Sequence, residues 1–164
     1  MTPSAPEARL LDDRIDSPIG RELIAELLVE LAARYGDPDP DEPSPIDLSP
    51  PRGAFLVAWT DGAALGCGGV RAHHGDVGEI KRMYTRPTAR RRGIARLLLA
   101  EIEDRARTLG YARLVLETGT KQPEAMALYE SFGYTSITPY GQYADYPESR
   151  CYAKDLVLDP SPSS

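Results

Sequence analysis

Residues 86–96, RPTARRRGIAR, set five arginines around a single glycine at the front of an apolar run. Such a cluster can meet nucleic acid, an acidic partner protein or the phosphates of a small cofactor, and the three predict different surroundings. The chain carries a net charge of −6, yet the stretch Lys81–Arg96 holds seven basic residues and no acidic one. The remainder is therefore strongly acidic and would repel a long polyanion, so extended nucleic-acid binding is disfavoured and a compact anion is favoured. A strand that turns tightly into a helix makes such an anion site, because the first helical N–H groups lack intrahelical partners and the helix dipole adds positive potential. Gly93 allows close backbone approach, and Ala95 keeps the next position small. The stretch lacks the Gly-Lys-Ser/Thr of a nucleotide P-loop and the three glycines of a dinucleotide fingerprint.

Other chemistry-bearing residue types read more plainly. Cys67 and Cys151 show neither a disulfide framework nor zinc spacing, and a reducing cytoplasm is the default for such a chain. Cys67, inside GCGG, reads as a small core residue. His73 and His74 fall in an expected turn, and two adjacent histidines do not make a metal site, so no metal is expected. No apolar run approaches the length of a membrane span, and the N-terminus lacks the pattern of a signal peptide.

The elements that must position these residues follow from periodicity and punctuation. DSPIGRELIAELLVELAARYG predicts a helix with Ser17 as N-cap, Pro18 in the first turn and Gly36 as stop; Ile19, Leu23, Leu27 and Leu31 fall on one face. Residues 36–52 are a proline-rich loop, expected to be mobile. AFLVAWT and ALGCGGVR flank Asp61-Gly62 as a hairpin. HHGDVGEIKRMYT leads into a third strand, with Ile80 and Met83 inward on a bulged segment. GIARLLLAEIEDRARTLG predicts the clearest helix, with Ile94, Leu98, Ile102 and Leu109 on its core face and Leu97 beside it. RLVLET reads as a strand buried on both faces, QPEAMALYESFGY as a short helix, and RCYAKDLVL as a closing strand. The unit from Val77 to Glu117 is then a parallel crossover, and the fold is α/β or α+β with a mixed sheet. A single domain over residues 1–164 is expected, with flexible tails at 1–8 and 159–164.

EIKRMYTRPTARRRGIARLLL, then RLVLETG, then PEAMALYESFGY together resemble the GCN5-related N-acetyltransferases (GNAT). Arg90, Gly93 and Ala95 match that family's pyrophosphate-loop pattern, and the resemblance covers residues 55–154. It implies a mostly antiparallel sheet with one splayed parallel pair, acetyl coenzyme A as donor and an amine as acceptor. Backbone N–H groups of Arg91, Arg92, Gly93, Ile94 and Ala95 would cradle the diphosphate. The strand near Met83 and Tyr84 would pair with the pantetheine arm. Tyr129 matches the family tyrosine that protonates the departing thiolate. Many members place an asparagine ahead of the last helix; Gln122 stands nearest to that position. Glu79, on the central strand four residues before Met83, is the candidate general base. The segment before the last strand, with Tyr140, Tyr143 and Tyr146, would wall the acceptor pocket. The first helix, ending at Tyr35, would supply the opposite wall with Glu30 and Arg34. The expected reaction is direct transfer to a small-molecule amine. A protein lysine or N-terminal amine as acceptor, and a non-catalytic acyl-coenzyme-A-binding module, stand as alternatives; a homodimer is compatible with the family.

Overall fold

Two hydrophobic stretches that alternate along their length, 54–60 and 63–74, pair through a turn that only a left-handed backbone closes: Asp61 has φ 47° and Gly62 φ 77°. The computed structural model describes residues 8–36 and 41–156, the side chain of Tyr143 excepted. Its strands are β1 (Arg9–Asp12), β2 (Ala54–Thr60), β3 (Ala63–His74), β4 (Val77–Thr85), β5 (Arg113–Gly119), β6 (Thr135–Ile137) and β7 (Ser149–Asp155). They form one open sheet in the order β1-β2-β3-β4-β5-β7-β6. All neighbours are antiparallel except β4 and β5. That is the mixed, mostly antiparallel sheet with one parallel pair expected from the sequence.

Three helices cover it: α1 (Pro18–Tyr35), α2 (Ile94–Thr108) and α3 (Pro123–Ser131). The α1 boundaries follow their caps. Ser17 Oγ accepts from the Gly20 N–H at 3.0 Å, and Gly36 ends the helix at φ 82°. Strand alternation divides the core between the two faces. Leu56, Ala58, Val70 and Ile80 pack with α2 and α3, whereas Phe55, Val57 and Cys67 pack under Leu23 and Leu27 of α1.

Three local expectations change. Leu97 is 45% exposed and Leu99 is buried in its place, because the helix begins at Ile94 and sets its apolar stripe accordingly. Strands β1 and β6 are too short to show alternation in the sequence; each exists by pairing along an edge of the sheet. Residues 41–52 form a succession of turns held by the core: Leu48 is fully buried in the α1-side core, and Asp41 is buried too. Residues 37–40 and nearly all of both expected tails lie outside the described residues.

Candidate active site

The site begins with a defect in β4. Opposite β3, Cys67 pairs with Tyr84 and Gly69 with Lys81, so Arg82 and Met83 together face Gly68. Arg82 takes φ 60° to accommodate the extra residue, a β-bulge. The bulge brings Met83 onto the same face as Ile80, against the α2-side core, although only two residues, Lys81 and Arg82, lie between them. A β-carbon at Gly68 would overlap the Met83 sulfur and lie 2.9 Å from Ile102 Cδ1. The glycine-rich GCGG stretch therefore makes room for a bulge in the neighbouring strand. Cys67 closes the arrangement by donating its thiol to the Arg82 carbonyl at 3.4 Å; burial pushes that thiol up to about 12, which suits a structural cysteine and not a nucleophile.

The parallel pairing of β4 with β5 stops at Glu79↔Val115. Beyond that rung the bulged half of β4 and the end of β5 part, leaving a cleft lined on its two walls by Lys81, Arg82 and Met83, and by Glu117 and Thr118. Leu27 and Leu31 of α1 close one side; Gln122, Ala125 and Tyr129 of the α3 region close the other. Helix α1 is also tied to the loops that follow both strands. Arg90 donates to Glu30 at 2.6 Å and to the Thr85 carbonyl at 3.0 Å, and Arg34 donates to Glu30 at 2.9 Å and to the Lys121 carbonyl at 2.8 Å.

Beyond β4, α2 starts without any side-chain cap. Leu97 N–H is the first to reach back, to the Gly93 carbonyl at 3.1 Å, so the N–H groups before it are available to an anion. Gly93 has φ 78°, and a β-carbon there would meet nothing within 4 Å, so the space over the turn is open. Of the five arginines, Arg86 holds Glu22 and Glu26 of α1, Arg90 holds Glu30, and Arg96 bonds Ser131 and stacks on Phe132. Arg91 and Arg92 are exposed and pair with no described residue. Most of the arginine side chains therefore brace the turn, and the space over its glycine stays open.

Tyr129 lies at the inner end of the cleft, 5% exposed, with its ring 5.7 Å from Tyr134 and 6.4 Å from Tyr152. Its hydroxyl has no hydrogen-bond partner among the described residues. Burial, and next the charge of Glu117, raise its ionisation above the ordinary tyrosine range, so it stays protonated throughout neutral and moderately alkaline solution. Tyr84 sends its hydroxyl away to Glu26 at 3.1 Å, and burial with that contact pushes it up to about 12; only its backbone is left for the cleft. Tyr35 bonds Gln122 Oε1 at 3.1 Å and receives the Lys121 N–H at 3.2 Å.

Glu79 is buried beside the cleft. Oε1 takes Arg71 at 2.9 Å and Oε2 takes the Tyr140 hydroxyl at 2.7 Å. Arg71 and Lys81 also bind Asp41, at 2.8 and 2.6 Å. Burial alone would raise the Asp41 carboxyl, but Lys81 and Arg71 overcome it and hold it below the usual range. His73 packs edge-on to Tyr140 at 4.9 Å. Tyr146 is 46% exposed, and the Tyr143 side chain lies outside the described residues. Sequence reading missed Asp41, Arg71, Lys81, Glu117 and Thr118. The signal for Lys81 was present: charged residues alternating with apolar ones in a central strand need buried partners. No group that could hold a metal occurs among the described residues.

A mixed sheet split along its one parallel pair, with an uncapped glycine turn after β4 and a protonated tyrosine lining the cleft, has room for a long donor laid across the sheet. The family model for the acetyltransferase (GNAT) family matches residues 19–134, and the chain belongs to that family. It is 38% identical to an IAA acetyltransferase of Azospirillum brasilense over 146 residues, covering 86% of this chain and 95% of that one. A protein of Klebsiella pneumoniae assigned to the acyl-CoA N-acyltransferases superposes with a TM-score of 0.78 at 28% identity, covering 92% and 98% of the two chains. A GNAT acetyltransferase of Elizabethkingia anophelis with acetyl-CoA bound shares the fold, with a TM-score of 0.66 at 19% identity over 91% and 98%. The protein is thus an acetyl-CoA-dependent N-acetyltransferase. Its residues fit that donor: the open turn at Gly93 suits a diphosphate, and the unpaired edge of β4 beyond Glu79 suits an amide-bearing arm. Among the described residues, no helix is long and apolar enough to cross a membrane.

Proposed function

We propose that the protein acetylates a small-molecule amine by direct transfer from acetyl-CoA in a ternary complex. The observation that carries this reading is the make-up of the cleft: Leu27 and Leu31 of α1 line one side, and the buried Lys81 and Arg82 stand in its wall. When bound, acetyl-CoA supplies a thioester; the C–N bond forms as the C–S bond breaks, and one proton passes from nitrogen to sulfur. The N–H groups at the start of α2, from Arg91 to Ala95, hold the diphosphate. The backbone at Met83 and Tyr84 aligns the arm and polarises the acetyl carbonyl. Tyr129 donates its hydroxyl proton towards the departing sulfur. Glu79 accepts the amine proton through the Tyr140 hydroxyl that it already binds, and Tyr140 with Tyr146 walls the acceptor.

Glu117 is a second reading for the base, because it lines the cleft together with Tyr129 whereas Glu79 lies to one side. The pH profile of kcat/KM separates them. Loss of the acidic limb in Glu79→Gln supports the first reading, and its loss in Glu117→Gln supports the second. Thiol release measured across a panel of amines tests the acceptor class. Faster acetylation of peptides than of small amines overturns the small-molecule reading, and donor binding without product for any amine leaves only a binding module.

A further inference from the structure

We propose that Thr118 is a binding residue for the acyl donor, its hydroxyl hydrogen-bonding an amide of the donor's pantetheine arm. This rests on the reading that the cleft holds that arm. Thr118 follows Leu114 and Leu116 along one face of β5, the face that packs against α2 and α3. It lies past Val115, the last β5 residue paired with β4, so the split in the sheet opens beside it. The residue is 5% exposed, lines the cleft, and its Oγ1 is buried with no hydrogen-bond partner.

A buried hydroxyl without a partner is costly, and valine would fill the same space on a strand without that cost. The hydroxyl is therefore explained by a group that enters the cleft. It can both donate and accept, which matches the N–H or the C=O of an amide. Gln122, on the same side of the cleft, supplies the complement. Tyr35 takes the Lys121 N–H on its oxygen and gives its own proton to Gln122 Oε1. That contact fixes the orientation of the Gln122 amide and leaves its N–H groups for a carbonyl in the cleft that it lines. Lys81, Arg82, Glu117 and Tyr129 share the lining with Met83 and Ala125, so the cleft is more polar than apolar. Within it Thr118 and Gln122 are uncharged and can bond an amide without a counter-ion.

The test compares Thr118→Val with Thr118→Ser by calorimetry, using acetyl-CoA and adenosine 3′,5′-bisphosphate, which carries the nucleotide end without the arm. Thr118→Val is expected to raise the acetyl-CoA Kd roughly three- to tenfold, the worth of one hydrogen bond. Thr118→Ser should stay within about twofold of the parent, and neither variant should change the affinity for the bisphosphate. The ligand-free Tm of Thr118→Val should equal or exceed the parent's, since an unpaired hydroxyl has been removed. Unchanged acetyl-CoA affinity in Thr118→Val, an equal loss of bisphosphate affinity, or a lower ligand-free Tm each overturns the proposal. A parent protein that binds the bisphosphate and acetyl-CoA with equal affinity overturns instead the placement of the arm in the cleft.

Discussion

Tyr129 holds its proton because it is buried and because Glu117 stands near enough for its charge to be felt. For an acid whose ionised form is the anion, both effects favour the neutral form. The expected consequence is that activity shows no loss through Tyr129 ionisation up to about pH 10, the ordinary tyrosine value. Tyr129→Phe should lower kcat by about a hundredfold or more while KM for acetyl-CoA changes little, since it removes a group needed as charge develops and not one that holds the ground state. Steady-state kinetics with both substrates varied would show this. A rise in KM with unchanged kcat would instead make Tyr129 an ordinary wall of the cleft. The tyrosine was visible in the motif ALYESFGY. Its unpartnered hydroxyl was not, because that depends on which strands and helices surround it.

At the level of elements, the turn into α2 is the proposed seat of the donor's diphosphate. Its glycine is required twice: φ 78° is strained for any side chain, and the space over it must remain open. Gly93→Asp should therefore abolish coenzyme A binding in calorimetry while far-UV circular dichroism stays native, since a β-carbon there meets no protein atom. Strand β4 needed the structure. The sequence marks a bulge near Met83, but only the register against β3 shows that Arg82 and Met83 share one partner position and that Gly68 leaves the room. The arginine cluster stands out in the sequence, while the division of labour within it does not. Arg86 and Arg90 are engaged by α1 carboxylates about sixty residues away in the chain, contacts that no local pattern announces.

At the level of the molecule, the cations beside the cleft are tied by a segment whose sequence reads as an open loop. Residues 41–52 are rich in proline, yet Leu48 enters the α1-side core and Asp41 ties Lys81 and Arg71 together. The Asp41 carboxyl is held below its usual range, so it stabilises the fold above the unfolded-state value near pH 4; that contribution is lost as pH falls through the lowered folded-state value. Asp41→Asn should cost on the order of 3 kcal/mol at pH 7, because the buried Lys81 and the partly buried Arg71 lose a charged partner. The deficit should shrink as pH falls from about 4, where the unfolded chain's carboxylate takes up its proton, towards the lowered folded-state value. Thermal melts from pH 3 to pH 7 would measure both, and a deficit that stays constant with pH would show that the charge of Asp41 contributes nothing.

The sequence by itself determined the helices, the hairpin, the parallel crossover and the family, because each rests on local periodicity, on caps and glycines, or on motifs with fixed spacing. Only the tertiary structure decided where β4 and β5 part, which carboxylates stand at the opening, that Thr118 carries a buried hydroxyl without a partner, and that a proline-rich segment is packed. These depend on register and on contacts between residues distant in the chain.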